Sequence, residues 1–177
     1  MSDIILMAAE FAKRAHAGQF RKYNGLPYIT HPCRVAGRML VEGNTGLSSR
    51  GWAVAAAMLH DTVEDCGVTY DVLTEQFGSI VSDTVYWLTN PSKHLDLPRA
   101  KRKEIDRQHI ARAPHVARTI KLLDRIDNLG DLGSADDDFI RLYCDESELL
   151  LLSLEGTDTA LELELARLID RLRLERA

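Results

Sequence analysis

Apolar positions recur every three or four residues along almost the whole 177-residue chain, and that period predicts helices. From residue 4 to 17, Ile5, Ala8, Ala9, Phe11 and Ala12 make one apolar face, Lys13 and Arg14 lie outside it, and Gly18 ends the helix. Residues 19–28, QFRKYNGLPY, read as a loop with turn signals at Asn24-Gly25 and Pro27. Thr30 is the expected cap of a second helix with Pro32 in its first turn; Val35, Met39 and Leu40 point inward, and the end falls near Gly43. Ser48 or Ser49 is the expected cap of a third helix, which runs through the small-residue segment 52–59 and stops at Cys66-Gly67.

Two short helices follow. One spans 70–77 between a Thr69 cap and Gly78, and one spans 79–88 with Ile80, Val81, Val85 and Leu88 on one side. Asn90-Pro91 breaks the chain, and Asp96 is the expected cap of a helix that contains Pro98 and ends before Ala113-Pro114. Helices over 115–129, 139–154 and 158–173 complete the chain. The last one alternates Leu with charge at first, but Leu161, Leu165, Leu168, Ile169 and Leu172 keep helical spacing, which suits a core-packing or dimer helix. No alternating run is bounded by hairpin turns, and no repeat of about 20–50 residues is present. The expected fold is all-α, a single helical bundle.

Composition narrows the partners. With 45% hydrophobic residues the chain can bury one sizeable core. A net charge of −5 supplies no global basic field, so a nucleic-acid polymer is not expected, and an anionic ligand would need a local basic pocket. Three cysteines, Cys33, Cys66 and Cys144, form no C-x-x-C and read as reduced thiols of a cytoplasmic protein. The N-terminus lacks the long apolar run of a signal peptide, and no run of about 18 apolar residues predicts a membrane span.

Chemistry concentrates in Leu59-His60-Asp61-Thr62-Val63-Glu64-Asp65, directly after an apolar helix. One reading is a metal site with two further carboxylates one turn on; the other is a helix leaving the core as a solvated acidic end. His31, between Thr30 and Pro32, fits a cap or surface role as well as a ligand role. Asp124 follows the apolar face of its helix, so it needs a metal or a partner such as Lys121 or Arg125, and Asn128 shares its face. Arg21-Lys22 suits solvated surface, or phosphate binding if a metal lies near. Arg99, Lys101, Arg102 and Lys103 form the densest basic cluster. His16, His94, His109 and His115 read as surface or packing residues.

Five motifs occur in order: A-H-x-G-Q-x-R-K over 15–22, G-x-P-Y-I-x-H-P over 25–32, A-A-x-L-H-D-x-V-E-D over 56–65, F-G-x-x-V over 77–81 and K-L-x-D-R-x-x-N-L over 121–129. Together they resemble the HD-superfamily hydrolase domain of RelA/SpoT-type proteins, and in length the stand-alone small alarmone hydrolases. The resemblance spans roughly residues 5 to 155 and implies one HD phosphohydrolase domain over 1–177. It also implies removal of the 3′-pyrophosphate of (p)ppGpp, usually with manganese.

By motif, the resemblance makes His31, His60, Asp61 and Asp124 ligands of one divalent ion, and links Glu64 and Asp65 to water activation. It sets Arg21 and Lys22 along the nucleotide, Asn128 in contact with it, and Tyr143 near its base or ribose. Two positions depart from the pattern: Asp127 replaces a frequent aromatic residue and adds negative charge, and Phe139 replaces a basic residue found in some small hydrolases. The acidic run Asp136-Asp137-Asp138 lies nearby. Other nucleotide substrates, an adenine alarmone or NADPH, and a non-catalytic alarmone sensor are the alternatives, with a homo-oligomer as a further expectation. A purely structural helical module would have to account for His60, Asp61 and Asp124 without a metal.

Overall fold

In a computed structural model the described residues are 2–42 and 51–176, and among them the chain forms ten helices and no strand beyond one isolated antiparallel bridge, Phe20 to Pro27. The expected helix end at Gly43 and the Ser48 or Ser49 cap lie outside the described residues. The first half contains α1 (Ser2–Ala15), α2 (Thr30–Glu42), α3 (Gly51–Leu59), α4 (Thr62–Cys66), α5 (Tyr70–Phe77) and α6 (Ser79–Leu88). The second half contains α7 (Arg99–Ala111), α8 (His115–Gly130), α9 (Asp137–Ser153) and α10 (Thr159–Leu174).

Two helices carry the architecture. α3 is buried on every side except at Trp52, because its alanines let α1, α2 and α6 approach closely. α8 buries Val116, Ala117, Ile120, Leu123 and Leu129 among α2, α6, α7, α9 and α10. α10 closes this half by packing Leu161, Leu165, Ile169 and Leu172 onto α8 and α9.

The helix expected to run unbroken to Cys66 stops at Leu59 and restarts at Thr62, with His60 and Asp61 in the turn between. Side chains close this turn: His60 Nδ1 faces the Ala57 carbonyl at 2.8 Å, and the Thr62 hydroxyl donates to the Leu59 carbonyl at 2.7 Å. Carbonyls taken by side chains are lost to the helix ladder. Asp96 does not cap α7; Pro98 holds an extended backbone (ψ 145°) and the helix begins just after it. Leu40 and Ile80 remain exposed, since no described helix covers their edge positions. Asp136 caps α9 by accepting from the Phe139 N–H at 2.8 Å, so α9 starts two residues before the apolar pattern does.

Candidate functional site

Three elements bring the polar residues of the core together. The start of α2 carries His31, the α3–α4 turn carries His60 and Asp61, and the middle of α8 carries Asp124. His31, His60 and Asp124 are buried, and each offers a ligand atom within 4.8 Å of the others. His31 Nε2 lies 3.2 Å from His60 Nε2 and 3.2 Å from Asp124 Oδ1. Asp61 Oδ2 joins them, 3.1 Å from His60 Nε2 and 3.5 Å from His31 Nε2.

This donor set fits a hard or borderline divalent ion. Ligand bonds of about 2.0–2.2 Å set neighbouring donor atoms roughly 3 Å apart; the separations here run from 3.1 to 3.7 Å, the longest between His60 Nε2 and Asp124 Oδ1. The imidazole tautomers fit as well. His60 Nδ1 must donate to the Ala57 carbonyl, which can only accept, and His31 Nδ1 faces Asp127 Oδ2 at 2.6 Å. Both Nε2 atoms are therefore left to face the centre.

Without a metal the site keeps protons. Burial disfavours protonation of His31, but hydrogen bonds to Asp124, Asp127 and Asp61 outweigh it and raise its pKa to about 11. For His60 burial is likewise outweighed, first by the Asp61 charge and then by the Asp124 hydrogen bond, and its pKa rises to about 9. Burial pushes Asp61 and Asp124 up, yet both lie well below the usual carboxylate range. His60 and His31 hold Asp61 down; Lys121, then the two imidazoles, hold Asp124 down.

Of the two cations considered from sequence, Lys121 pairs with Asp124 and Arg125 does not, turning instead to Ser147 and the Tyr143 ring. Asp124 Oδ2 takes Lys121 Nζ at 2.9 Å, and its Oδ1 faces the histidines and accepts from Asn128 Nδ2 at 2.5 Å. Glu64 and Asp65 diverge despite adjacent positions on α4. The Glu64 carboxylate accepts from the Asn90 backbone N–H at 3.0 Å and from the Asn90 amide. Asp65 pairs with Lys93 at 2.6 Å and shares the Tyr28 hydroxyl with Asp61: that oxygen lies 2.8 Å from Asp61 Oδ2 and 3.2 Å from Asp65 Oδ2.

Beside the centre lies a cavity of about 240 Å³ lined by Arg21, Lys22, Tyr28, Asn128, Phe139 and Tyr143 among others. Arg21 reaches Asn128 Oδ1 at 2.7 Å and Asp131 at 2.9 Å. Lys22 Nζ sits 4.9 Å from the Tyr23 ring centre and 5.7 Å from that of Phe139. Phe139 stacks on Tyr143 at 5.7 Å, and Arg125 lies over the Tyr143 ring at 4.4 Å. The wall is thus aromatic and cationic together.

The rest of the basic cluster scatters. Arg99 pairs with Glu146 while its guanidinium also lies over Phe139, Lys101 pairs with Glu104, and Lys103 faces Asp106. The acidic run is structural: Asp136 caps α9, Asp137 meets Arg176, and Asp138 meets Arg141.

Sequence reasoning missed Tyr28, Asn90 and Lys93, and with them Arg34 and Asp131. Tyr28 lies inside the G-x-P-Y-I-x-H-P motif with no role legible from spacing, and Asn90 reads from sequence only as a chain break. Asp127 was read as charge against a substrate, but Arg34 grips it through two hydrogen bonds of 2.5 and 2.8 Å. The spacing of Asp124, Asp127, Asn128 and Asp131 along one helix face was the available signal. His16, which reads as a surface or packing residue, packs: it is buried beside Gln19 and Cys66 and stacks on Tyr28 at 4.7 Å.

An all-helical bundle holding a buried His/His/Asp group, with a further Asp from the residue after one His, defines the HD class of metal-binding domain. The family model described as "HD domain" matches residues 8–148, and the chain belongs to that family. Among curated proteins it is 32% identical over 172 residues to the guanosine-3′,5′-bis(diphosphate) 3′-pyrophosphohydrolase MESH1 of Danio rerio, spanning 93% of this chain and 92% of that one. It is 35% identical over 167 residues to the Homo sapiens protein of the same name, spanning 89% and 88%. A solved structure described as a metazoan ortholog of SpoT that hydrolyzes ppGpp superposes with a TM-score of 0.84 at 26% identity, over 95% of this chain and 94% of that one.

Proposed function

We propose that this chain is a metal-dependent hydrolase that releases pyrophosphate from the ribose 3′ position of (p)ppGpp, leaving GDP or GTP. The observation that carries the proposal is the juxtaposition of the His31, His60 and Asp124 group, with Asp61 beside it, and an aromatic, cationic cavity. Similarity over 88–95% of each chain to the curated MESH1 proteins and to the ppGpp-hydrolysing neighbour supports the substrate.

His31, His60, Asp61 and Asp124 would hold a divalent ion, manganese in this proposal, which would supply positive charge for phosphoryl oxygens and lower the pKa of a bound water. Arg21 and Lys22 hold the phosphates, Arg21 being steadied by Asn128 and Asp131. Phe139 and Tyr143 offer ring faces to the base or ribose. A water attacks the 3′-linked phosphorus, its proton passes to the Glu64–Asp65 pair, and the ribose 3′ oxygen leaves and takes up a proton. Tyr28 fixes Asp65 relative to Asp61 through its shared hydroxyl. The free thiols Cys33, Cys66 and Cys144 support a cytoplasmic setting. Among the described residues no helix is long and apolar enough to cross a membrane.

Product analysis with manganese tests this reading, with ppGpp, its adenine counterpart and NADPH offered in parallel. Pyrophosphate from ppGpp is expected, and Glu64→Gln should lower turnover strongly while manganese binding stays intact. Release only from another nucleotide would move the specificity; tight alarmone binding without turnover would make the protein a sensor.

A further inference from the structure

The buried ligand His31 is held from behind by residues that take no part in the cavity wall's chemistry. Its Nδ1 lies 2.6 Å from Asp127 Oδ2, and among the described residues it has no other partner. His31 is fully buried and the Asp127 side chain is 8% exposed, so water does not substitute readily for this contact. Arg34 closes the outer side of Asp127, with Nε 2.5 Å from Oδ1 and Nη2 2.8 Å from Oδ2. The same Nη2 reaches Asp131 Oδ2 at 2.7 Å, the oxygen that also takes Arg21 Nε at 2.9 Å. Arg21 returns through Asn128 to Asp124. Seven side chains thus form a closed ring from one metal ligand to the other.

We propose that Asp127 and Arg34 are positioning residues: Asp127 fixes the ring plane and tautomer of His31 so that Nε2 faces the metal, and Arg34 locks Asp127 in place. The proposal rests on the metal-site reading of His31, His60, Asp61 and Asp124. Its physical basis is general. A ligating imidazole that donates its second N–H to a carboxylate is held in one orientation and made a better donor, and removing such a partner typically weakens metal binding about 10–100-fold. Arg34 gives Asp127 a bidentate partner from the next turn of the helix that carries His31, so ligand and support move as one unit.

The test is calorimetric titration of manganese into the metal-free full chain, for wild type, Asp127→Ala, Asp127→Asn, Arg34→Ala and the double variant Arg34→Ala/Asp127→Ala. Asp127→Ala should bind manganese about 10–100-fold more weakly. Asp127→Asn keeps an acceptor oxygen and nearly the same shape, so it should fall between the two and remain folded if the alanine variant does not. Arg34→Ala should weaken binding in the wild-type background and add nothing once Asp127 is gone. A merely structural role would lower the melting temperature of these variants and leave affinity untouched. Manganese binding within twofold of wild type in both Asp127 variants would overturn the inference and spare the hydrolase reading. A wild-type protein that binds no divalent ion would overturn the metal site and this inference together.

Discussion

Lys121 allows the charge balance of the proposed metal ligands to be tested apart from those residues themselves. Its Nζ lies 2.9 Å from Asp124 Oδ2, and the two side chains are only 13% and 7% exposed. Lys121→Met keeps most of the volume and removes the charge, leaving Asp124 with the two imidazoles and the Asn128 amide. Removing one partner of a buried ion pair costs about 3–5 kcal/mol. The imidazoles, whose pKa values are raised beside these carboxylates, offset part of the loss, so the low end, about 3 kcal/mol, is expected. For a domain of this size each kcal/mol moves the melting temperature by about 2–4 °C, so the metal-free variant should melt about 6–12 °C below wild type. A divalent ion on the Oδ1 side would return the missing positive charge. Manganese should therefore stabilise the variant more than the wild type. Four melts at neutral pH, each protein with and without saturating manganese, measure both effects. An unchanged metal-free melting temperature, or a loss that manganese leaves in full, would refute the reasoning.

Tyr28→Phe removes the hydroxyl between Asp61 and Asp65 while the ring can stay stacked on His16. A hydrogen bond to a charged group is worth about 1.5–3 kcal/mol, so kcat on ppGpp should drop about tenfold or more with KM little changed; steady-state kinetics with an unaltered kcat would exclude Tyr28 from the mechanism. A pH dependence follows from the histidines. Their folded pKa values, about 11 for His31 and about 9 for His60, exceed the ordinary 6.5. Raised values give stability that is fully present below pH 6.5 and is lost as pH climbs through the folded values, so the metal-free protein should weaken from pH 6.5 toward 9 and beyond. Manganese displaces those same protons, so its affinity should rise over that window. Titrations at several pH values check this, and an affinity independent of pH would contradict the assignment of His31 and His60 as ligands.

The helices were largely legible because burial imposes a period, and the period survives in sequence at Val35, Met39, Ile120 and Leu165 alike. The turn at His60-Asp61 was not. Nothing local distinguishes a His or Thr side chain that captures a carbonyl three residues back from one riding on a continuous helix; which of the two occurs depends on what α2 and α8 bring opposite. The proposed metal ligands were within reach through the motifs that carry them, and His60 and Asp124 also stand out as polar residues beside an apolar run, whereas His31 by itself suits a cap or the surface as well. Their partners were not, because Arg34 and Asp127 stand 93 positions apart and Arg21 and Asp131 stand 110 apart. No window of sequence holds both members of such a pair.

Asp127 carries this point furthest. As an isolated letter it is a negative charge near a proposed anionic substrate, and so an obstacle. In the fold, Arg34 and His31 hold its carboxylate between them, and burial and those two partners decide its effect rather than its own sign. Its pKa lies below the usual value because His31 and Arg34 outweigh the penalty of burial, so it stays ionised where the imidazole needs an acceptor. The same logic applies to Arg21. Two acceptors, the Asn128 amide oxygen beside Asp124 and the Asp131 carboxylate beside Arg34, fix its guanidinium at the cavity wall. A cation held that way presents its remaining donors without first having to be ordered, which is the form in which a phosphate is bound most tightly.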